Sequence, residues 1–171
     1  MNTLNDFFNN PFFVIIGGVG TLFSVVALLF TVYLFIKGIA PVLYRLGMGL
    51  ARRKIAIFAE DEFDDLKDML VDSGIFRGAN IVKIGKTSIK KAEGLSLFLM
   101  HWKPFENELQ DILNVKRDAT ALIIYAPYGE GAVPSDIVTK INQHRNSILV
   151  NLRGRLLNDI LTCMMTTSLK K

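Results

Sequence analysis

Two arginines separated by a glycine, Arg153-Gly154-Arg155, stand between an apolar run and a helical pattern in this chain of 171 residues. At a strand-to-helix corner such side chains lie beside free backbone N–H groups and the positive end of the helix dipole, an arrangement suited to phosphate. Gly154 lets a ligand approach the backbone, and Lys86, Thr87 and Ser88 in the neighbouring strand-end loop are expected to supply further donors. Tyr128 and Trp102 offer aromatic faces on which a base can stack. The competing account of the arginines is ion pairing with the acidic run Glu60, Asp61, Glu62, Asp64, Asp65 and Asp68.

Other chemistries find less support. At helix spacing the acidic run reads as a solvated first turn that complements the helix dipole, so no metal ligand is assigned to it. Neither G-x-x-x-x-G-K-[ST] nor a G-x-G-x-x-G after the first strand occurs, and YGEGAVPSD lacks the third glycine. Cys163 lies in an apolar helical pattern as a structural thiol, without a second cysteine to pair with. His101 ends a strand and His144 a helix, and the hydroxyl-rich run from Thr162 to Ser168 has no general base beside it. No residue is assigned a catalytic role, and no cofactor other than a nucleotide-type ligand is expected.

The elements that must position these groups follow from the hydrophobic pattern. Strands are predicted over Lys54–Ala59, Asn80–Ile84, Leu95–His101, Ala119–Ala126 and Ser147–Leu152. Helices are predicted over Glu62–Val71, Glu106–Leu113, Ser135–Gln143 and Arg155–Met165. Apolar strands alternating with helices make residues 55–171 one α/β domain, Rossmann-like or flavodoxin-like, with a mostly parallel sheet of about five strands. The segment GKTSIKKAEG is short for a crossover with a full helix, so a degenerate turn or an antiparallel strand is expected there.

Residues 11–36 are uncharged and exceed the roughly 20 residues that cross about 30 Å of hydrocarbon, which predicts a single transmembrane helix behind a short tail, residues 1–10. Its Gly17, Thr21, Ser24, Ala27 and Thr31 follow a three-or-four spacing, a small-residue face suited to helix association or a pore. Phe12, Phe13, Tyr33 and Phe35 suit its two ends. The whole net charge of +4 is generated in the flank, residues 37–54: Lys37, Arg45, Arg52, Arg53 and Lys54 against one acid, Asp6, before them and 15 groups of each sign after them. A neutral domain excludes a generally basic nucleic-acid binder, and the basic flank places the domain in the cytoplasm with the N-terminus outside. Beyond a bend at Gly38 to Pro41, Val42, Leu43, Leu46 and Leu50 form an amphipathic helix, with Arg45, Arg52, Arg53 and Lys54 directed at the membrane surface. Without a Ser/Gly-rich linker, a rearrangement of the domain would reach the membrane helix directly.

The outward tail, the single helix with its small-residue face, the basic flank and a small Rossmann-like domain carrying RGRLLNDI together resemble bacterial antiphage membrane effectors. The channel effector of the Hailong system is the nearer likeness, and the membrane effector of type III CRISPR systems with its CARF sensor domain the next. The resemblance implies an inner-membrane homotetramer with a pore lined by the small-residue face. It further implies a nucleotide or oligonucleotide ligand, made by a partner nucleotidyltransferase or CRISPR complex, that gates an ion channel in abortive infection. The alternatives are a membrane-anchored enzyme, either a TIR-like NAD hydrolase using Glu60, Glu62 or Glu130 or a crotonase-like protease relative, and a passive membrane scaffold.

Overall fold

A computed structural model describes residues 10–44, 47 and 53–167. The tail residues 1–9 and the expected surface residues Arg45, Leu46, Leu50 and Arg52 lie outside the described residues. The chain divides into two units, residues 1–44 and 45–171.

The first unit is built on helix α1, Pro11–Gly38. The Asn10 side chain accepts a hydrogen bond from the Phe12 N–H at 3.0 Å, and Pro11 opens the helix where its missing donor costs nothing. Its 28 residues extend about 42 Å, and from residue 14 onward the helix is long and apolar enough to cross a membrane. At the expected bend the helical assignment is interrupted only at Ile39, whose backbone is still right-handed helical, and residues 40–44 are helical again with Pro41 tolerated there. Leu22, Phe23, Leu28 and Leu29 are exposed, apolar surface of the kind that lipid or a second chain covers. The hydroxyls of Thr21, Ser24 and Thr31 donate to the carbonyls of Gly17, Gly20 and Ala27 at 2.8, 2.9 and 2.8 Å, so the small-residue face carries no unmet donor at these positions.

The second unit is an α/β sandwich. Strands β1 (Ile55–Phe58), β2 (Ile81–Lys83), β3 (Leu97–His101), β4 (Ala121–Tyr125) and β5 (Ser147–Val150) form one sheet in the order β2-β1-β3-β4-β5. Every pairing is parallel, with Ile55 opposite both Ile81 and Leu97, and His101 opposite Tyr125. The runs IAIF, LFLMH and ALIIY are buried throughout, as strands covered on both faces must be. Helices α2 (Phe63–Asp72) and α5 (Arg153–Thr166) cover Ile55, Ile57, Leu99 and Ile123 on one face. Helices α3 (Leu109–Val115) and α4 (Ser135–Gln143) cover Phe58, Phe98, Met100 and Ile124 on the other.

One open alternative is resolved and two expectations change. The short connection between β2 and β3 is the degenerate turn, a 3-10 segment Lys86–Ala92 packed through Ile89 and Ala92, and β3 is parallel like the rest. The helix expected over Glu106–Leu113 is a 3-10 turn, Lys103–Glu108, followed by α3, because Phe105 breaks from helical geometry to bury its ring. Arg53 is buried rather than presented on a surface. It is 5% exposed and donates to both the hydroxyl and the carbonyl of Thr167 at 2.6 Å, whereas Lys54 beside it is exposed.

Candidate functional site

In a parallel sheet of this kind the ligand crevice opens outside the carboxyl ends of the strands, where the strand order changes direction. Here that change falls between β1 and β3. His101, the last residue of β3, is 4% exposed, and its ring lies 6.0 Å from that of Tyr125 at the end of β4. Its two nitrogens face two carboxylates. Nε2 is 2.7 Å from Glu130 Oε2 in the loop after β4, and Nδ1 is 3.8 Å from Glu62 Oε2 at the turn between β1 and α2. With the Glu130 carboxylate oxygen as acceptor, Nε2 is the donor of this hydrogen bond. Glu62 Oε2 and His101 Nδ1 are then left buried, facing each other without a hydrogen-bond partner. Burial, followed by the Glu62 charge, pushes the Tyr125 phenol above its ordinary value.

Glu130 is held by local backbone chemistry. Gly129 and Gly131 on either side have φ of +106° and +100°, conformations that side-chain-bearing residues resist, and they fold the loop so that the carboxylate turns back to His101. The acidic run is therefore not uniformly a solvated first turn. Glu60 pairs with Lys86 at 2.9 Å, Asp65 with Arg153, and Glu62 turns inward to the histidine, leaving Asp61, Asp64 and Asp68 as the exposed remainder.

The expected phosphate corner is divided. Helix α5 begins at Arg153, with Leu152 as its N-cap, so Arg153, Gly154 and Arg155 form the first turn. The Arg153 guanidinium is committed to Asp65, which holds that carboxyl below the usual range and raises the arginine through the same hydrogen bond. Arg155 makes a long ion pair with Asp159 one turn on, at 3.9 Å, and a Cβ at Gly154 would meet only open space among the described residues. Lys86, Thr87 and Ser88 do not join them. They follow β2, at the opposite edge of the sheet from β5, about 19 Å away at the spacing of neighbouring strands. Lys86 is paired with Glu60, and the Ser88 hydroxyl is bonded to the backbone of Gly85. Trp102 is buried in the core and offers no stacking face.

Tyr128 does meet Arg155. Both line a cavity of about 210 Å³ together with Asn151, Leu152 and Asp159. Tyr128, Leu149 and Asn151 also line a second cavity, about 570 Å³, between the loop after β4 and helix α4, with Pro127, Val133 and Val138 on its walls. The combined space lies at the carboxyl ends of β4 and β5 and is of the size that holds small ligands. Tyr128 is 77% exposed there.

No protein-family model, curated protein or solved structure matches this chain.

Proposed function

We propose that the chain is a membrane-anchored, self-associating effector whose α/β unit binds a nucleotide or short oligonucleotide at the carboxyl ends of β4 and β5. The observation that carries this reading is the pair of adjoining cavities, which set the exposed Tyr128 ring for stacking beside the Arg155 guanidinium for phosphate. The flavodoxin-like strand order supports it, since such sheets bind ligands at this end. The apolar length of α1, with its small-residue face, supports a single membrane crossing and an oligomer, with the basic flank and the α/β unit in the cytoplasm of a bacterial cell. In this reading the ligand biases an antiphage channel or pore, a tetramer by resemblance, by the difference between its affinities for the two states.

Mass determination of the detergent-solubilised full chain, followed by calorimetric titration with oligodeoxyadenylates and cyclic oligoadenylates, tests the reading. An oligomer that binds one of these, with Tyr128→Ala and Arg155→Ala weakened, is the expected result. A monomer indifferent to all of them would overturn it.

A second reading, a membrane-anchored hydrolase of a nucleotide, draws on the buried histidine between two carboxylates at the centre of the sheet. Incubating the chain with NAD and following its breakdown separates the two.

A further inference from the structure

The orphaned atoms at the strand-order reversal point to a ligand of their own. His101 Nδ1 and Glu62 Oε2 are both buried, both without a hydrogen bond among the described residues, and 3.8 Å apart. That separation is too long for a hydrogen bond. Two bonds of about 2.0–2.2 Å from a shared cation, opened to about 110–130°, span about 3.3–4.0 Å. A single ion thus fits between them with little movement of either side chain.

The other nitrogen of the ring carries the complementary feature. A metal-bound histidine usually donates its second N–H to a carboxylate, which fixes the tautomer and makes the free nitrogen a better ligand. Glu130 Oε2 accepts from Nε2 at 2.7 Å, leaving the lone pair of Nδ1 directed at Glu62. Oxygen and nitrogen atoms of Glu62, His101 and Glu130 lie within 4.8 Å of one another. His101 ends β3, and Glu62 and Glu130 stand in the loops that follow β1 and β4, the strands on either side of it.

We infer that Glu62 and His101 Nδ1 bind a divalent transition-metal ion of the zinc class, with Glu130 as the positioning carboxylate behind the histidine. One imidazole and one carboxylate select Zn2+ or Co2+ over Mg2+ or Ca2+, which prefer all-oxygen sites. Two protein ligands leave the remaining positions to water or to an anion entering the crevice. The site is separate from the Tyr128 and Arg155 cavities, although the Pro127 to Gly131 loop serves both.

The test uses the tag-free full chain in detergent, stripped with a chelator, returned to chelator-free buffer and titrated with Co2+ alone while its visible absorption is recorded. The expected result is one Co2+ per chain, displaced by Zn2+ and not by Mg2+. Glu130→Gln should weaken binding by about 10-fold to 100-fold. Glu62→Gln should abolish the Co2+ spectrum while the far-ultraviolet circular dichroism stays native, because Glu62 is partly exposed and its loss opens no core. His101→Asn should abolish it too, and where that variant fails to fold, Glu62→Gln alone decides. Wild-type protein that binds no stoichiometric Co2+ or Zn2+, or binding undiminished in folded Glu62→Gln, overturns the site. The readout involves no nucleotide, so it stands or falls separately from the ligand proposed above.

Discussion

Arg53 donates its two terminal nitrogens to Thr167, one to the hydroxyl and one to the backbone carbonyl, across 114 positions of sequence. Thr167 is the C-cap of α5, so the guanidinium also sits at the negative end of that helix. Burial lowers the Arg53 pKa from its ordinary value, yet an arginine stays charged at neutral pH. A buried cation with two good acceptors is costly to leave half-paired. Arg53→Ala should therefore destabilise the α/β unit by about 2 kcal/mol, the worth of charged hydrogen bonds less the desolvation recovered. Arg53→Lys should recover less than half of it, because an ammonium cannot reproduce the two-pronged geometry. Urea denaturation of the full chain in detergent measures both, and an unchanged midpoint in Arg53→Ala would show that the clamp contributes nothing.

The Asp65 to Arg153 pair offers a pH signature. Its hydrogen bond to Arg153 holds Asp65 below the usual carboxylate range. Such stabilisation is present above the unfolded value near 3.9 and is lost as the pH falls through the folded value. Both side chains are about half exposed, so the effect is under about 1 kcal/mol. Asp65→Asn should thus be slightly less stable than wild type at pH 7 and indistinguishable from it near pH 2. The same substitution frees the Arg153 guanidinium at the first turn of α5, and affinity for a phosphate-bearing ligand should rise. A stability difference that persists in acid would mean that something other than this pair is being measured.

Much of this architecture is legible from hydrophobic pattern. Burial on both faces makes IAIF, LFLMH and ALIIY unbroken apolar runs, and α4 is found over the predicted Ser135–Gln143. Strand order is not written in local pattern, and the errors follow from that. Lys86 and Arg155 seem neighbours until β2 and β5 prove to be opposite edges, and Glu62, His101 and Glu130 seem unrelated until β1, β3 and β4 prove adjacent. The usable signal was the glycine on each side of Glu130, which marks a loop bent to aim one side chain. Arg53 departs from the surface expectation for a similar reason: a basic flank explains its charge, and only the tertiary fold brings Thr167 to it.

Edge placement also separates two basic residues that composition treats alike. Arg155→Ala removes a charge-assisted hydrogen bond donor from the cavity beside Tyr128 and should weaken nucleotide binding by about 10-fold or more. Its side chain is 69% exposed, so thermal stability should be unaffected. Lys86→Ala, at the other edge and already paired with Glu60, should leave binding within about 2-fold of wild type, a difference too small to be one charged contact. Calorimetric titration of the two variants side by side is the measurement, and equal losses in both would place the ligand elsewhere.

Membrane association can be read apart from hydrogen bonding because of how the hydroxyls on α1 are engaged. Ser24 donates to the Gly20 carbonyl at 2.9 Å, so removing its hydroxyl strands no donor in lipid. What a substitution there changes is surface shape. Ser24→Ala keeps the face small and should retain the oligomer in detergent, while Ser24→Leu fills the groove that lets helices approach closely and should shift the chain toward monomer. Phe23 lies on the neighbouring surface and is 70% exposed, so Phe23→Leu serves as the control that adds no bulk to the small face. Conductance across a planar bilayer should follow the same order, lost in Ser24→Leu and kept in the other two. If Ser24→Leu assembles as wild type does, the small-residue face is not the contact, and the closely spaced glycines of α1 reflect only what lipid tolerates.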